Sequence, residues 1–493
     1  MASRLVLGAH KWSRIDPNQY AAVVQSAVEN GWTTLECGQD GGEQALGSML
    51  RTNYPPDAEP LHIMARIGYR TIPTTNNNND ENDDKTQPGN NDTTEVLQDV
   101  VMEEPQQRED GSVSPTVVHN VGRHAVEHFL QKTPLLGTDD ESGSSNVRVV
   151  PMLHNPEVHE DKQDRRQRLT DAFSVLEEAV AETSGRNSPI DGFGVVSNGL
   201  SLPTQHPLYL DWKEDVLEAA CEAASQVTGQ RSKLSVLQLP ANLLETRGIK
   251  VAREVFAYAN DEGLTSSPYF PDSLRVYAMR PLTCYPDLGT GTGHGFEMVD
   301  FVLPIAPGQT ASTHEMDNPP AVYGQTLNAA MGHFDGTELI EAKQERDLSA
   351  EERETLDGCK LLQSLLHDLD AGLETVRSFA AHEEDLMTKV IPTLYGTLEE
   401  VDEESSALLQ AFFQAHGLAV RHAIARNTRK LLKQGGDGVP PYEIPNEMRL
   451  QEYALQHILD EPAFAKVVVG CMKPEEVRDN VEIDEERTKT ATK

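Results

Sequence analysis

The chain has 493 residues, of which 38% are hydrophobic, and its formal net charge is -37 at pH 7. So negative a protein repels phosphate backbones and anionic lipid surfaces, which argues against a nucleic acid or a membrane as a direct partner. The five cysteines form no C-x-x-C pair, which argues against a zinc motif and a disulfide framework. Because residues 1–10 lack the apolar core of a signal peptide and no segment approaches the roughly 18 apolar residues of a membrane span, we expect a cytoplasmic protein.

Short apolar runs alternate along the chain with amphipathic segments. The apolar runs predict strands at 5–8, 33–37, 61–68, 149–153, 192–196, 234–239, 274–278 and 465–469. Helical spacing predicts helices at 18–30, 42–50, 165–183, 214–227, 249–262 and 448–459. Repeated strand–helix units predict parallel strands joined by crossover helices, which either a barrel or a doubly wound sheet would satisfy.

Two segments interrupt this alternation. Residues 74–114 are rich in Asn, Asp, Glu, Gln and Pro, and they contain too little apolar surface to offset the entropy of ordering. Residues 348–433 predict several consecutive helices with two apolar stripes, which we interpret as an ordinary helix–helix core. The predicted organisation is a main domain over 1–70, 116–290 and 446–483, with three further segments. These are a disordered acidic insert at 71–115, a loop and helical insert at 291–445, and a charged tail at 484–493.

Six motifs lie at or near the ends of predicted strands. They read LECGQDGGE at 35–43, IMARIG at 63–68, MLHNPE at 152–157, FGVVSN at 193–198, VLQLPANLL at 236–244 and VGCMKPEEVRDN at 469–480. In this order they resemble the motifs of the aldo-keto reductases, and outside the inserts the resemblance runs from Arg4 to about Asn480. It implies an α/β fold, a (β/α)8 TIM barrel, in which functional residues gather at the carboxyl ends of the strands.

The resemblance also implies a nicotinamide cofactor, NADP or NAD. Ser197 and Asn198 would hydrogen-bond the nicotinamide carboxamide, and Gln238 would do so from the next strand. Met279 lies where many members of the family stack an aromatic ring on the nicotinamide. A Ser-Asn pair after a strand is also an ordinary turn, but its combination with Gln238 favours the cofactor.

The last motif would hold the adenosine end of the cofactor. By the same resemblance, Asp479 and Asn480 would contact adenine, and the cations Lys473 and Arg478 lie close by for a 2′-phosphate, which favours NADP. Pro474 and the acidic residues after it also suit the start of a helix, so both interpretations apply to the same segment.

The catalytic set of the family is only partly present. In the family a tyrosine donates a proton, a lysine lowers its pKa, an aspartate pairs with the lysine and a histidine orients the carbonyl. Here His154 is kept, Glu36 stands at the aspartate position, Arg66 at the lysine position and Gly41 at the tyrosine position. Glycine has no proton to donate, and a guanidinium stays charged. We expect Arg66 and Glu36 to form a bidentate ion pair at the mouth of the barrel.

Two functions fit these residues. The first is an NAD(P)(H)-binding oxidoreductase that acts on a small carbonyl or sugar substrate, with His154, Tyr69 or Asp40 in place of the missing tyrosine. The second is a non-catalytic relative that binds a nucleotide or a protein partner in a regulatory role, as the regulatory subunit of glutamate–cysteine ligase does on this fold. The helical insert provides either an interaction surface for such a partner or a lid over the pocket. The cofactor residues argue against a scaffold with an emptied pocket.

Overall fold

Eight apolar segments pair side by side in the computed structural model of the chain. The structure describes residues 3–8, 17–38, 46, 59–72, 100–103, 116–136, 147–158, 162–183, 189–261, 268–285, 296–298, 321–335, 348–391, 403–436, 439–445 and 448–491. It divides into two units, one formed by residues 1–242, 246–281 and 456–493, and the other by residues 243–245 and 282–455.

The first unit is a closed barrel of eight parallel strands. The strands are β1 (Leu5–Gly8), β2 (Thr34–Cys37), β3 (Leu61–Ile67), β4 (Val147–His154), β5 (Phe193–Val196), β6 (Leu234–Pro240), β7 (Arg275–Met279) and β8 (Phe464–Gly470). Each strand pairs with the next one in the chain, and β8 closes on β1 through the pair Leu5 and Val467. This confirms the (β/α)8 barrel, with every strand within two residues of its predicted bounds.

The interior of the barrel is apolar at mid-height. Side chains from seven strands form one buried cluster, which consists of Val6, Met64, Val150, Met152, Val196, Val236, Tyr277, Met279 and Val468. Because successive side chains of a strand point to opposite faces, these residues identify which positions of each strand face inward. Arg66 and Gln238 follow Met64 and Val236 by two residues and continue their inward rows toward the carboxyl end, and Glu36 is in register with Met64.

Helices connect the strands of the barrel. They span Pro17–Glu29, Arg123–Lys132, Lys162–Glu182, Glu218–Val227, Thr246–Ala259, Leu450–Leu459 and Pro474–Ala491, and a π-helical turn, Trp212–Leu217, precedes the fourth. The helix Lys162–Glu182 buries an apolar face that includes Leu169, Phe173, Leu176 and Val180, and Phe173 stacks on Phe193 of β5 with ring centroids 5.2 Å apart. The helix Thr246–Ala259 approaches β6 so closely that a Cβ on Gly248 would overlap the carbonyl oxygen of Pro240.

Two parts of the first unit differ from the sequence prediction. A three-stranded antiparallel sheet follows β3 and consists of Tyr69–Ile72, Thr116–His119 and Val100–Glu103. Val100–Glu103 lies in the segment predicted to be disordered, and its apolar residues pair with Thr116–His119. The predicted charged tail is helical as far as Ala491, because Ile483 is buried and Arg487 binds both Asp484 and Asp460.

The second unit is mainly helical. Its helices are Ala321–His333, Ala350–Gly372, Phe379–Asp385 with the π-helical turn Leu386–Val390, and Glu403–Gln434, and Thr283–Cys284 pairs with Phe296–Glu297. Both predicted apolar stripes contribute to one core, the first through Leu362 and Leu366 and the second through Leu409 and Phe412. Apart from residues 243–245, the unit spans residues 282–455, and the predicted insert is 291–445. In the helices that the structure describes, no stretch is both long and apolar enough to span a bilayer.

Candidate active site at the carboxyl end of the barrel

Glu36 and Arg66 form an ion pair inside the carboxyl end of the barrel. Arg66 Nε and Nη2 lie 2.9 and 2.8 Å from the same carboxylate oxygen, Glu36 Oε1. The sequence predicts a bidentate pair, and both nitrogens bind Glu36, but to one oxygen rather than to two. The side chains are 12% and 3% exposed, so solvent screens this interaction little.

Gln238 completes this network from β6. Its Nε2 donates to Glu36 Oε1 over 2.6 Å and lies 3.7 Å from Met279 Sδ. The carboxylate fixes the orientation of the amide, since a flipped amide would bring two oxygens together. Gln238 is fully buried, and its Oε1 has no hydrogen-bond donor among the described residues. A buried amide acceptor is therefore left without a partner next to a buried ion pair.

His154 lies beside the same guanidinium. Arg66 Nη1 is 3.4 Å from His154 Nε2. A guanidinium can only donate, so His154 Nε2 accepts in this geometry, which assigns the proton of the neutral ring to Nδ1. The backbone carbonyl of His154 contacts His119 Nε2 at 2.7 Å. The ring of His154 is thus oriented by a charged donor.

Tyr69 packs against His154 from the antiparallel sheet. The ring centroids of Tyr69 and His154 are 4.9 Å apart at an angle of 67°. Asn155, whose φ of 50° lies in the left-handed region that asparagine tolerates, donates from Nδ2 to Tyr69 Oη over 3.2 Å. Burial raises the pKa of Tyr69 and Glu157 raises it further, while Asn155 and Arg66 lower it. Tyr69 therefore keeps its proton at neutral pH.

The predicted carboxamide residues Ser197 and Asn198 follow β5. Ser197 Oγ donates to Glu157 Oε2 over 2.7 Å, so toward a ligand this hydroxyl can act only as an acceptor. Glu157 is buried and also accepts from the backbone N–H of Gly199 over 2.8 Å. Burial raises the pKa of Glu157, and its hydrogen bonds with Ser197 and Gly199 oppose that shift. The side chain of Asn198 is partly exposed and forms no hydrogen bond with a residue that the structure describes.

The last motif joins β8 to the helix Pro474–Ala491. Lys473, Arg478 and Asp479 are exposed, and Arg478 Nη2 binds Glu475 Oε1 at 2.6 Å. Asn480 is buried, and its amide points toward Cys471, with 3.4 Å between Nδ2 and Sγ. The predicted 2′-phosphate and adenine residues are thus accessible except for Asn480, which faces the protein interior.

Sequence reasoning missed part of this site. Asn155, Glu157 and His119 were not recognised, although Asn155 and Glu157 lie in the MLHNPE motif directly after His154. His119 is far from the site in sequence, and pairing of Thr116–His119 with Tyr69–Ile72 brings it there. Gly41 and Asp40 lie outside the described residues.

Comparisons with known proteins give distant structural neighbours and no family. No protein-family model matches the sequence, and no curated protein is significantly similar to it. Among solved structures, the chain is similar to the glycerol dehydrogenase AKR11B4 from Gluconobacter oxydans, with 10% sequence identity, a TM-score of 0.39, and coverage of 99% of this chain and 90% of that one. It is also similar to the aldo-keto reductase AKR11C1 from Bacillus halodurans in its holo form, with 13% identity, a TM-score of 0.39, and coverage of 98% and 87%. Because both TM-scores and both identities are low, the assignment of the barrel rests on the order of its paired strands and not on these neighbours.

Proposed function

We propose that this protein is an NAD(P)(H)-dependent oxidoreductase that acts on a small carbonyl or sugar substrate. The observation that carries the proposal is the buried Oε1 of Gln238, which has no donor among the described residues. Leaving such an acceptor without a partner costs about 1–3 kcal/mol. The N–H group of a nicotinamide carboxamide would supply the missing donor.

The residues at the nicotinamide end fit such a cofactor. Gln238 would accept from the carboxamide, Ser197 would also accept, and Asn198 has an amide that is free of described partners. Met279 provides an apolar surface beside Gln238. Lys473 is an exposed cation that suits a 2′-phosphate, which favours NADP. When bound, the cofactor gives or takes a hydride.

The protein's own part in the reaction is to place a proton and a positive charge. We assign the proton donor to Tyr69, because it keeps its proton at neutral pH and Asn155 holds its hydroxyl oxygen. Arg66, which Glu36 holds in place, would stabilise the negative charge that develops on a carbonyl oxygen. His154, Glu36 and Arg66 remain the predicted catalytic group, with His154 as an acceptor for Arg66 rather than an acid.

Binding without catalysis is the second candidate. Two internal hydrogen bonds favour it. Ser197 donates its hydroxyl proton to Glu157 and Arg66 donates to Glu36, so these donors are already engaged within the protein. A protein partner in a regulatory role would bind the helical unit, where Val322, Leu361 and Met387 are exposed by 48%, 40% and 61%. Neither a nucleic acid nor a membrane is proposed as a partner, given the charge of -37.

The test is a fluorescence titration with NADPH and NADH, followed by turnover with a panel of aldehydes and ketoses. We expect NADPH to bind and Gln238→Met to weaken binding about tenfold, since one hydrogen bond is worth about 1.4 kcal/mol. Gln226→Met is the control, because Gln226 is exposed and its side chain donates to Glu222 on the same helix. Binding with no turnover on any substrate would favour the second candidate. Failure of both dinucleotides to bind would exclude the proposed cofactor.

A further inference from the structure

The opposite, amino-terminal end of the barrel carries a cluster of basic side chains. Residues two positions apart on a strand share a face, so the residues that lie two positions before inward-facing ones also face the barrel interior. Before Met64, Val150, Tyr277 and Val468 these are His62, Arg148, Arg275 and Lys466, and before Glu36 it is Thr34. We call these five residues the basic floor. They belong to five strands, β2, β3, β4, β7 and β8.

Strand register and hydrogen bonds bring the basic floor together. His62 is in register with Thr34 on one side and with Arg148 on the other, and Lys466 is in register with Tyr277, two residues after Arg275. Lys466 Nζ reaches across β1 to Thr34 and donates to its Oγ1 over 2.8 Å. Because Thr34 is only 3% exposed, this bond turns the ammonium group toward the barrel interior rather than out to solvent.

The cations of the basic floor act on one another. The pKa of His62 is lowered first by the burial of its own ring. Asp191 raises this pKa, and three cations lower it, namely Lys466, Arg275 and Arg148. Burial and the neighbouring Arg275 lower the pKa of Lys466 from 10.5 to about 8. Asp191 Oδ2 lies 3.6 Å from His62 Nδ1, with both side chains about two-fifths exposed. Neither Lys466 nor Arg275 pairs with a carboxylate in the part of the chain that the structure describes.

This concentration of positive charge is unusual for a chain with a net charge of -37. Acidic residues are abundant in the sequence, yet among the described residues the carboxylate that acts on the pKa of His62 is Asp191, and the charged neighbour that acts on the pKa of Lys466 is another cation, Arg275. Long basic side chains at a barrel end often extend into solvent. Lys466 instead donates one N–H group to the buried hydroxyl of Thr34, and the other two N–H groups of the ammonium can bind another acceptor.

We propose that the basic floor binds a small oxyanion at the amino-terminal end of the barrel, through Lys466 and the two arginines. A phosphate, sulfate or carboxylate group would accept the two N–H donors that Lys466 leaves and offset the mutual repulsion of the cations. The guanidinium groups of Arg148 and Arg275 supply planar donors that match an oxyanion, and Thr34 positions Lys466. This site is separate from the carboxyl end of the barrel and does not depend on the proposed oxidoreductase activity.

The experiment is acetylation of the full chain by acetic anhydride at about pH 8 in a buffer without phosphate, read by peptide mass spectrometry. The probe is inorganic phosphate, and potassium chloride at equal ionic strength is the reference. At about ten times its Kd, phosphate should slow acetylation of Lys466 about tenfold, because only the unbound protein reacts. Lys250, an exposed lysine on the helix Thr246–Ala259, is the internal control and should react at an unchanged rate.

Two results would overturn the site. One is an unchanged rate at Lys466 in phosphate, and the other is equal slowing by potassium chloride, which would show screening only. Arg148→Gln should reduce the protection by phosphate, whereas Lys250→Met should leave it intact. The measurement on the unaltered protein decides the question even if the Arg148 variant does not fold.

Discussion

Gln238 on β6 and Glu36 on β2 meet inside the barrel, with 2.6 Å between Nε2 and Oε1. The same oxygen accepts both bonds from Arg66, so one carboxylate oxygen holds three donors. Glu36 is 2% exposed and the side chain of Arg66 is 12% exposed, so bulk water solvates the guanidinium poorly if the carboxylate is lost. Among the described residues, Glu36 is thus the carboxylate that balances the charge of Arg66.

Replacement of Glu36 by Gln should therefore destabilise the fold strongly. The change leaves the guanidinium of Arg66 buried without an opposite charge, and breaking one partner of a buried pair costs about 3–5 kcal/mol. The free energy of unfolding, measured by urea titration, should fall by that amount. Glu222→Gln is the matched control, since Glu222 pairs with the exposed Arg166 at 3.6 Å and should contribute less than about 1 kcal/mol. Equal effects of the two changes would contradict the buried pair.

Tyr69→Phe tests the proposed proton donor. Loss of general acid catalysis lowers turnover about 100- to 10,000-fold, whereas NADPH affinity should not change. Tyr258→Phe, on the outer helix Thr246–Ala259, should leave turnover intact. Since the pKa of Tyr69 lies above its ordinary value of 10.0, reductase activity should not decline through ionisation of Tyr69 between neutral pH and pH 10. Full turnover by the Phe variant would show that another residue donates the proton.

Gly248→Ala tests how closely the helix Thr246–Ala259 approaches β6, and Gly417→Ala in the helical unit is its control. A Cβ on Gly248 would overlap the carbonyl oxygen of Pro240, whereas no described neighbour beyond the surrounding helix turns lies within 4 Å of a Cβ on Gly417 in the helix Glu403–Gln434. Gly248→Ala should lower the free energy of unfolding by about 1–3 kcal/mol, because the helix must move. Gly417→Ala should raise it by about 0.5–1 kcal/mol, because alanine favours a helix. Thermal or urea unfolding distinguishes the two signs.

The strands could be predicted because their signals are local, whereas the choice of a barrel over a doubly wound sheet came from the resemblance. Each apolar run of about five residues, such as 234–239, carries its own strand preference, and the alternation with helices fixes parallel pairing. The positions of Glu36, Arg66, His154 and Gln238 follow once strand ends are known, since parallel strands bring their carboxyl ends together.

The partners of these residues could not be predicted in the same way. That Ser197 donates to Glu157, and that both nitrogens of Arg66 choose one oxygen of Glu36, depends on side-chain orientation, which no periodic pattern encodes. The contact of Tyr69 with His154 depends on Val100–Glu103 and its neighbours forming a sheet within a polar segment. Composition averaged over residues 74–114 conceals these four apolar-rich residues.

His416→Phe tests a buried histidine of the helical unit. His416 is fully buried, its ring stacks on Phe412 with centroids 5.4 Å apart, and neither ring nitrogen has a hydrogen-bond partner among the described residues. Burial, and then the neighbouring His382, lower the pKa of His416 from 6.5 to about 4. The unfolded chain therefore binds a proton near pH 6.5 while the folded chain does not, so stability is complete above pH 6.5 and falls as the pH decreases toward 4.

That loss is of order 3 kcal/mol, because each unit of pKa difference is worth about 1.4 kcal/mol. His416→Phe should remove this part of the pH dependence, and it should raise stability at pH 5 more than at pH 7. Urea titrations at the two pH values measure the difference. His367→Phe, at an exposed position of the helix Ala350–Gly372, should keep the slope of the unaltered protein. Parallel stability curves for the unaltered protein and the His416 variant would show that this ring is hydrated or partnered, and that burial does not hold it neutral.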